Sequence, residues 1–230
     1  MNTTNKYKKY MYLVIPAMLL CMIGDYCIGI EPAGSEEIGL IASSGWVTIS
    51  DLRITISNIC GMIGTFFYAV GAISYIKLLL SENKDNNNLW DQRFLKLFYI
   101  SLFTGCLSFI YFHIACGGLI QHFNVLMDAT GDFTRAEELL LRTFMIEAVP
   151  FVVLFVLFDV FATVAWIALV VRGVIPAPKV WLMAAPLLTA LIGQIIELIP
   201  LPFNGIGSGF ESLGWMLMFV AGIRYVGKRS

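Results

Sequence analysis

Charge is what this sequence has least of. Only 13% of its residues are Asp, Glu, Lys or Arg, while 58% are hydrophobic. A soluble domain carries about 25% charge and about 45–50% apolar residues. A water-facing body of this composition would lack the polar surface to cover itself, and disorder is excluded by the same apolar excess. Histidine is nearly absent, with two residues. A hydrolytic zinc centre wants about three protein ligands rich in His, so that chemistry is poorly supplied. The five cysteines form no Cys-x-x-Cys pair. There is no Gly-x-Ser-x-Gly elbow, phosphate loop or dinucleotide fingerprint, and Gly205-Ile-Gly-Ser-Gly209 lacks the strand that a nucleophile elbow needs. A net charge of −1 gives no basic field to attract nucleic acid.

What the chain has instead is long apolar runs, with a mean hydropathy of +0.79. A spanning helix needs roughly 20 mostly apolar residues to cross a ~30 Å hydrocarbon core. Six segments qualify, at about 10–30, 54–80, 94–120, 139–171, 180–199 and 210–226. They are continuous and too long for barrel strands, which alternate over about ten residues, and helices satisfy every backbone group within one segment. The expected fold is all-α: a single polytopic bundle of six transmembrane helices spanning 1–230.

Basic residues orient it. With the N-terminus inside, the cytoplasmic ends hold twelve Lys and Arg, including Lys77, Arg93, Lys96, Arg172, Lys228 and Arg229, against Arg53, Arg135 and Arg142 on the other side. This positive-inside bias predicts both termini in the cytoplasm of a plasma membrane. The basic start and apolar run to Met22 resemble a signal peptide, but no Ala-x-Ala site follows and Asp25 interrupts, so a retained first helix is expected.

Between the spans, 31–51 and 121–137 are the only outer loops of any size, and neither is expected to bury a core of its own. Pro150 and Pro186 should bend the fourth and fifth helices. The 200–209 segment, rich in Pro and Gly, either caps the bundle or dips into it. Ser57, Gly61, Thr65 and Ala69 repeat at four-residue spacing, which allows close packing inside the bundle or a homodimer. Cys21, Cys27, Cys60, Cys106 and Cys116 lie in spans as small packing residues, with a disulfide among Cys27, Cys60 and Cys116 as the alternative.

Ionisable residues inside spans are costly and usually face the bundle interior. Counting ~1.5 Å per residue from each cytoplasmic anchor places Asp25 ~24 Å above Lys9, Asn58 ~28 Å above Lys77 and His113 ~25 Å above Lys96. The same count places Glu197 ~27 Å above Lys179, Glu211 ~20 Å above Arg224 and Glu147 ~37 Å above Arg172. Every helix thus supplies a polar group to the outer half, and one shared outward-facing acidic cavity accounts for all of them. The competing account is separate groups snorkelling or bonded to backbone. Asp51 and Ser50 stand where a cap for the second helix belongs. Arg53 is either an interfacial anchor, a counter-ion for Asp25 or Glu197, or a clamp on a phosphate or carboxylate headgroup. Asp159, ~20 Å above Arg172 near the bilayer centre, is an interhelical hydrogen-bond partner or a proton carrier. His113 exchanges protons near neutral pH.

Two chemistries suit these residues. One is binding or transfer of a small polar ligand, cation or lipid headgroup by Asp25, Asp51, Arg53, Asn58, His113, Glu147, Glu197 and Glu211. The other is lipid modification, with His113 as acid or base and Asp25 or Glu197 as its orienter. A non-catalytic membrane subunit or immunity-type protein is a third reading. No motif implies a cofactor; carboxylate oxygens would suit a divalent cation such as Ca²⁺ or Mg²⁺.

Gly24-Asp25 closing the first helix, Ser50-Asp51-x-Arg53-Ile54 opening the second, His113 in the third and Glu147-x-x-Pro150 in the fourth carry a further signal. In these motifs the chain resembles an uncharacterised bacterial family of six-helix membrane proteins, a domain of unknown function. The resemblance implies no reaction. It implies that Asp25, Asp51, Arg53 and His113 belong together.

Overall fold

A computed structural model describes residues 3–227, apart from the side chains of Thr3 and Glu147. The predicted contributions of Lys228, Arg229 and the Glu147 carboxylate therefore lie outside what is described. Among the described residues eight α-helices dominate: α1 (Thr3–Met11), α2 (Val14–Gly29), α3 (Asp51–Glu82), α4 (Leu89–Thr130), α5 (Phe133–Phe155), α6 (Phe161–Val171), α7 (Pro186–Glu197) and α8 (Phe210–Tyr225). Four two-residue strands, β1 (Glu31–Pro32), β2 (Glu37–Ile38), β3 (Ala42–Ser43) and β4 (Phe203–Asn204), pair antiparallel as β1 with β4 and β2 with β3.

Among the described residues, five helices are long and apolar enough to cross a membrane: Thr4–Gly29, Asp51–Glu82, Leu89–Thr130, Ala148–Val171 and Ile206–Tyr225. Large apolar side chains on their outer faces stand in the open, among them Phe66 at 68% and Phe103 at 66% exposure. Such a surface would be a liability in water and is ordinary in lipid. The sixth predicted segment differs. Its 180–199 run is split into a 3-10 stretch (Lys179–Ala184) and the 12-residue α7. Pro186 does not bend a helix there; it starts one, because its fixed φ and missing N–H suit the first helical position.

The 121–137 segment, expected as a loop, is almost wholly helical. At ~1.5 Å per residue the 42 residues of α4 extend ~63 Å, about twice a hydrocarbon core. The turn to α5 is only two residues. Gly131 ends α4 with a left-handed φ of +64° and its N–H on the Met127 carbonyl at 2.8 Å, and Asp132 caps α5 by accepting the Arg135 N–H at 3.0 Å. The resulting hairpin shares a small core with the 31–50 segment, built on Ala42, Phe123, Ala136 and Leu140 with Trp46 edge-on to Phe123. The 31–50 and 121–137 segments thus do jointly what neither was expected to do alone. Glu137, 6% exposed, fastens them by accepting the Leu40 N–H at 2.9 Å.

α3 packs chiefly on α2 and α4, and α8 on α2 and α7. The central core is aromatic: Tyr68 contacts the rings of Phe109, Phe158, Trp215 and Phe219 and donates its hydroxyl to the Leu102 carbonyl at 3.1 Å. α5 continues through Pro150, and the helical register changes six residues later, in a π-helical stretch (Val156–Val160) leading into α6. That stretch stacks Phe158 on Trp215 at 4.2 Å and buries Asp159 completely. At the opposite end from the 31–50 segment, Arg172 bridges Asp91 at 2.5 Å and Asn88 at 3.0 Å. All five cysteines are free thiols, as the packing role requires.

Candidate functional site

The site grows from one imidazole in a socket of glycines. His113 is 3% exposed on α4. A Cβ on Gly24 of α2 would stand 2.7 Å from its Cε1, and one on Gly61 of α3 would stand 2.6 Å from its Cγ. Both helices therefore need glycine where the ring enters. Ser57 of α3 meets His113 Nδ1 at 3.0 Å. Ser57 and Gly61, half of the four-residue stripe, are thus committed to the histidine inside the bundle.

The other ring nitrogen, Nε2, points to Asp25 Oδ1 at 3.7 Å. Asp25 Oδ2 accepts the Ser212 hydroxyl of α8 at 2.8 Å. Ser57, His113, Asp25 and Ser212 form a polar line across α3, α4, α2 and α8. Glu211, next to Ser212, lies near Asp159, close enough for the two carboxyl groups to influence each other. Asp159 also accepts the Trp215 indole N–H at 3.0 Å. The interhelical bonding role predicted for Asp159 is therefore present.

Asp25, His113, Glu211 and Ser212 line a chamber of 240 Å³ whose other walls include Phe109, Phe112 and Phe151. A second compartment of 430 Å³ shares Asp25, Cys116, Phe151 and Ser208 with it and extends to Glu31, Ile41 and Trp46 at the loop end of the bundle. A third, of 440 Å³, adjoins the second through Gly29, Glu31 and Ser208 and holds Glu37, Gln194 and Glu197.

The remaining predicted residues lie elsewhere. Glu197 accepts the N–H of Gly205 at 3.1 Å and also that of Gly207. It anchors the 200–209 segment, whose β4 pairs with β1 and whose Gly205, at φ +90°, lies directly against the Gly29 carbonyl. Arg53 donates to the carbonyls of Cys27 at 2.7 Å and Ile30 at 2.5 Å. It satisfies acceptors left over at the end of α2 and makes no ion pair with Asp25 or Glu197 among the described residues. Asp51 is exposed in the first turn of α3, behind the capping Ser50, whose hydroxyl accepts the Arg53 N–H at 3.5 Å. Asn58 packs beside Gly117, and its Oδ1 is buried without a partner among the described residues.

Ser57, Ser212 and the two socket glycines were not singled out as site residues from the sequence. Ser212 stands next to Glu211, and Ser57 four residues before Gly61, but serine and glycine in an apolar helix carry no chemical label. Among the described residues no group of three or more His, Cys, Asp or Glu is arranged to hold a metal ion.

A comparison with curated proteins and one with solved structures gave no match. A family model described as "Family of unknown function (DUF6796)" matches residues 1–229, which agrees with the resemblance in the sequence motifs. The chain belongs to that family of unknown function.

Proposed function

We propose that this is an integral protein of a bacterial plasma membrane, crossing it six times with both termini cytoplasmic. In this reading it takes up a small polar ligand, cation or lipid headgroup in an outward-facing acidic chamber. The carrying observation is the convergence of Asp25, His113 and Glu211 from three helices on one chamber, which shares Asp25, Cys116, Phe151 and Ser208 with a compartment reaching the loop end. The sixth crossing is supported by length: about 12 Å of 3-10 rise and about 18 Å of α7 together approach a hydrocarbon thickness. Sidedness is supported by the twelve-to-three distribution of basic residues.

Cys116 lies on the walls of both compartments and supplies the test. A charged, membrane-impermeant methanethiosulfonate applied to the outer face of intact cells should modify Cys116, as located by peptide mass spectrometry. Modification only from the cytoplasmic face, or none, contradicts the reading.

The second reading, an intramembrane lipid-modifying enzyme, draws on the His113–Asp25 pair. Ser57 is fully buried and absent from the chamber wall, so it would position His113 rather than attack a substrate. Loss of lipid turnover in a folded His113→Gln variant supports this alternative, and unchanged turnover removes it.

A further inference from the structure

The chamber's walls combine two carboxyl groups, one imidazole and a set of phenyl rings, and that combination specifies a ligand class. Asp25 and Glu211 line the cavity, and His113 is the only basic side chain among its described lining residues. Behind Glu211, Asp159 is fully buried. Its Oδ1 holds the Trp215 N–H, while its Oδ2 has no donor among the described residues. Its carboxyl group lies near that of Glu211, and two neighbouring carboxylates disfavour each other's charge. On the chamber side, positive charge or a donor is what the site is short of.

Phe109, Phe112, Phe151 and Phe155 also line the chamber, together with Cys116, Ser208 and Ser212. Ring faces attract cations that shed water easily, above all ammonium groups carrying alkyl substituents. A divalent metal fits poorly. Mg²⁺ gives up its water reluctantly and Ca²⁺ wants six or more oxygens, and no described cluster has metal-holding geometry. Anions would meet Asp25 and Glu211. The 240 Å³ volume corresponds to ~8 waters at about 30 Å³ each, room for a small organic cation rather than a bare ion.

We infer that the chamber selects an ammonium group, with Asp25 and Glu211 as counter-charges and the phenylalanines as walls. This inference rests on the outward-facing chamber proposed above. The ammonium group could be carried by a soluble amine or by a lipid. A groove of 480 Å³ on the lipid-facing side of α4 and α5 shares Leu119 and Phe144 with the second compartment, so the membrane offers a lateral route beside the aqueous one.

The experiment measures modification of Cys116 in the purified full-length protein. It compares a trimethylammonium-bearing methanethiosulfonate with a sulfonate-bearing one, each rate divided by its rate with a free thiol in solution. The expected result is a normalised preference of at least tenfold for the cationic reagent, reduced several-fold in Glu211→Gln and in Asp25→Asn. In the unaltered chain, tetramethylammonium should slow the reaction, which keeps the test valid should either variant fail to fold. Protection by free tetramethylammonium in nanodiscs of phosphatidylglycerol supports a soluble cation. Protection arising only when the nanodisc contains phosphatidylethanolamine or phosphatidylcholine supports a lipid headgroup. Equal normalised rates without protection by either source overturn the ammonium assignment and leave the chamber intact. Failure of both reagents to react overturns the chamber itself.

Discussion

His113 Nε2 stands 3.7 Å from Asp25 Oδ1, and this pairing joins α4 to α2 at a level where both helices are otherwise apolar. The contact exists because Gly24 and Gly61 leave room for the ring. Through Ser212 it extends to α8. Buried polar groups are costly unless satisfied, so these partners belong to the packing as much as to any chemistry.

Substituting the socket should therefore cost stability. Gly61→Ala places a methyl group against the His113 ring, and overpacking of this kind costs about 1–3 kcal/mol. Gly118→Ala on α4 meets nothing within 4 Å and serves as the control. Thermal unfolding in detergent should show a clearly lower midpoint for Gly61→Ala and an unchanged or slightly higher one for Gly118→Ala. Equal midpoints would remove the socket.

Asp159 should behave as the acceptor for Trp215. Asp159→Asn keeps an oxygen at the indole N–H, whereas Asp159→Leu strands a buried donor at a cost of about 1–3 kcal/mol. The leucine variant should unfold at lower temperature than the asparagine one. The reverse order would mean that burying any polar group at this position costs more than its bond to Trp215 returns.

Glu197 should act on the backbone of the 200–209 segment. Glu197→Ala frees the N–H groups of Gly205 and Gly207, and amide exchange at both should accelerate by at least tenfold. Glu197→Gln, with one acceptor oxygen, should fall between. Unchanged exchange in the alanine variant would show that these bonds do not hold the segment.

Arg53→Lys should destabilise despite keeping the charge, because one ammonium replaces a planar fork that reaches the Cys27 and Ile30 carbonyls together. A lysine variant as stable as the native chain would return Arg53 to the role of a generic interfacial cation.

Much of the fold was legible because hydropathy reports the solvent around a helix. The runs near 10–30, 54–80, 94–120 and 210–226 all fall largely within helices. The same property hid the ends of those helices. α4 runs on to Thr130 with polar residues that read as loop, because its last turns face water and the small core on Phe123. The break at Pro186 was visible as a proline but not as a start, since the choice depends on whether the residues before it form regular helix. Asp25, His113 and Glu211 stood out because charge is expensive in lipid. Which of the polar residues meet was not legible, for that depends on helix rotation and crossing. Glu197 was counted to the depth of Asp25 and His113, and Arg53 stood as a candidate counter-ion for both carboxylates, yet the side chains of Arg53 and Glu197 end on backbone.

The most direct measurement is an experimental density map of the full-length protein in lipid nanodiscs, at a resolution that shows ordered water. Asp25, His113 and Glu211 should surround one hydrated or ligand-filled space that opens beside Glu31 and Trp46. A dry, closed interior there, or these three side chains turned apart toward lipid, would contradict it.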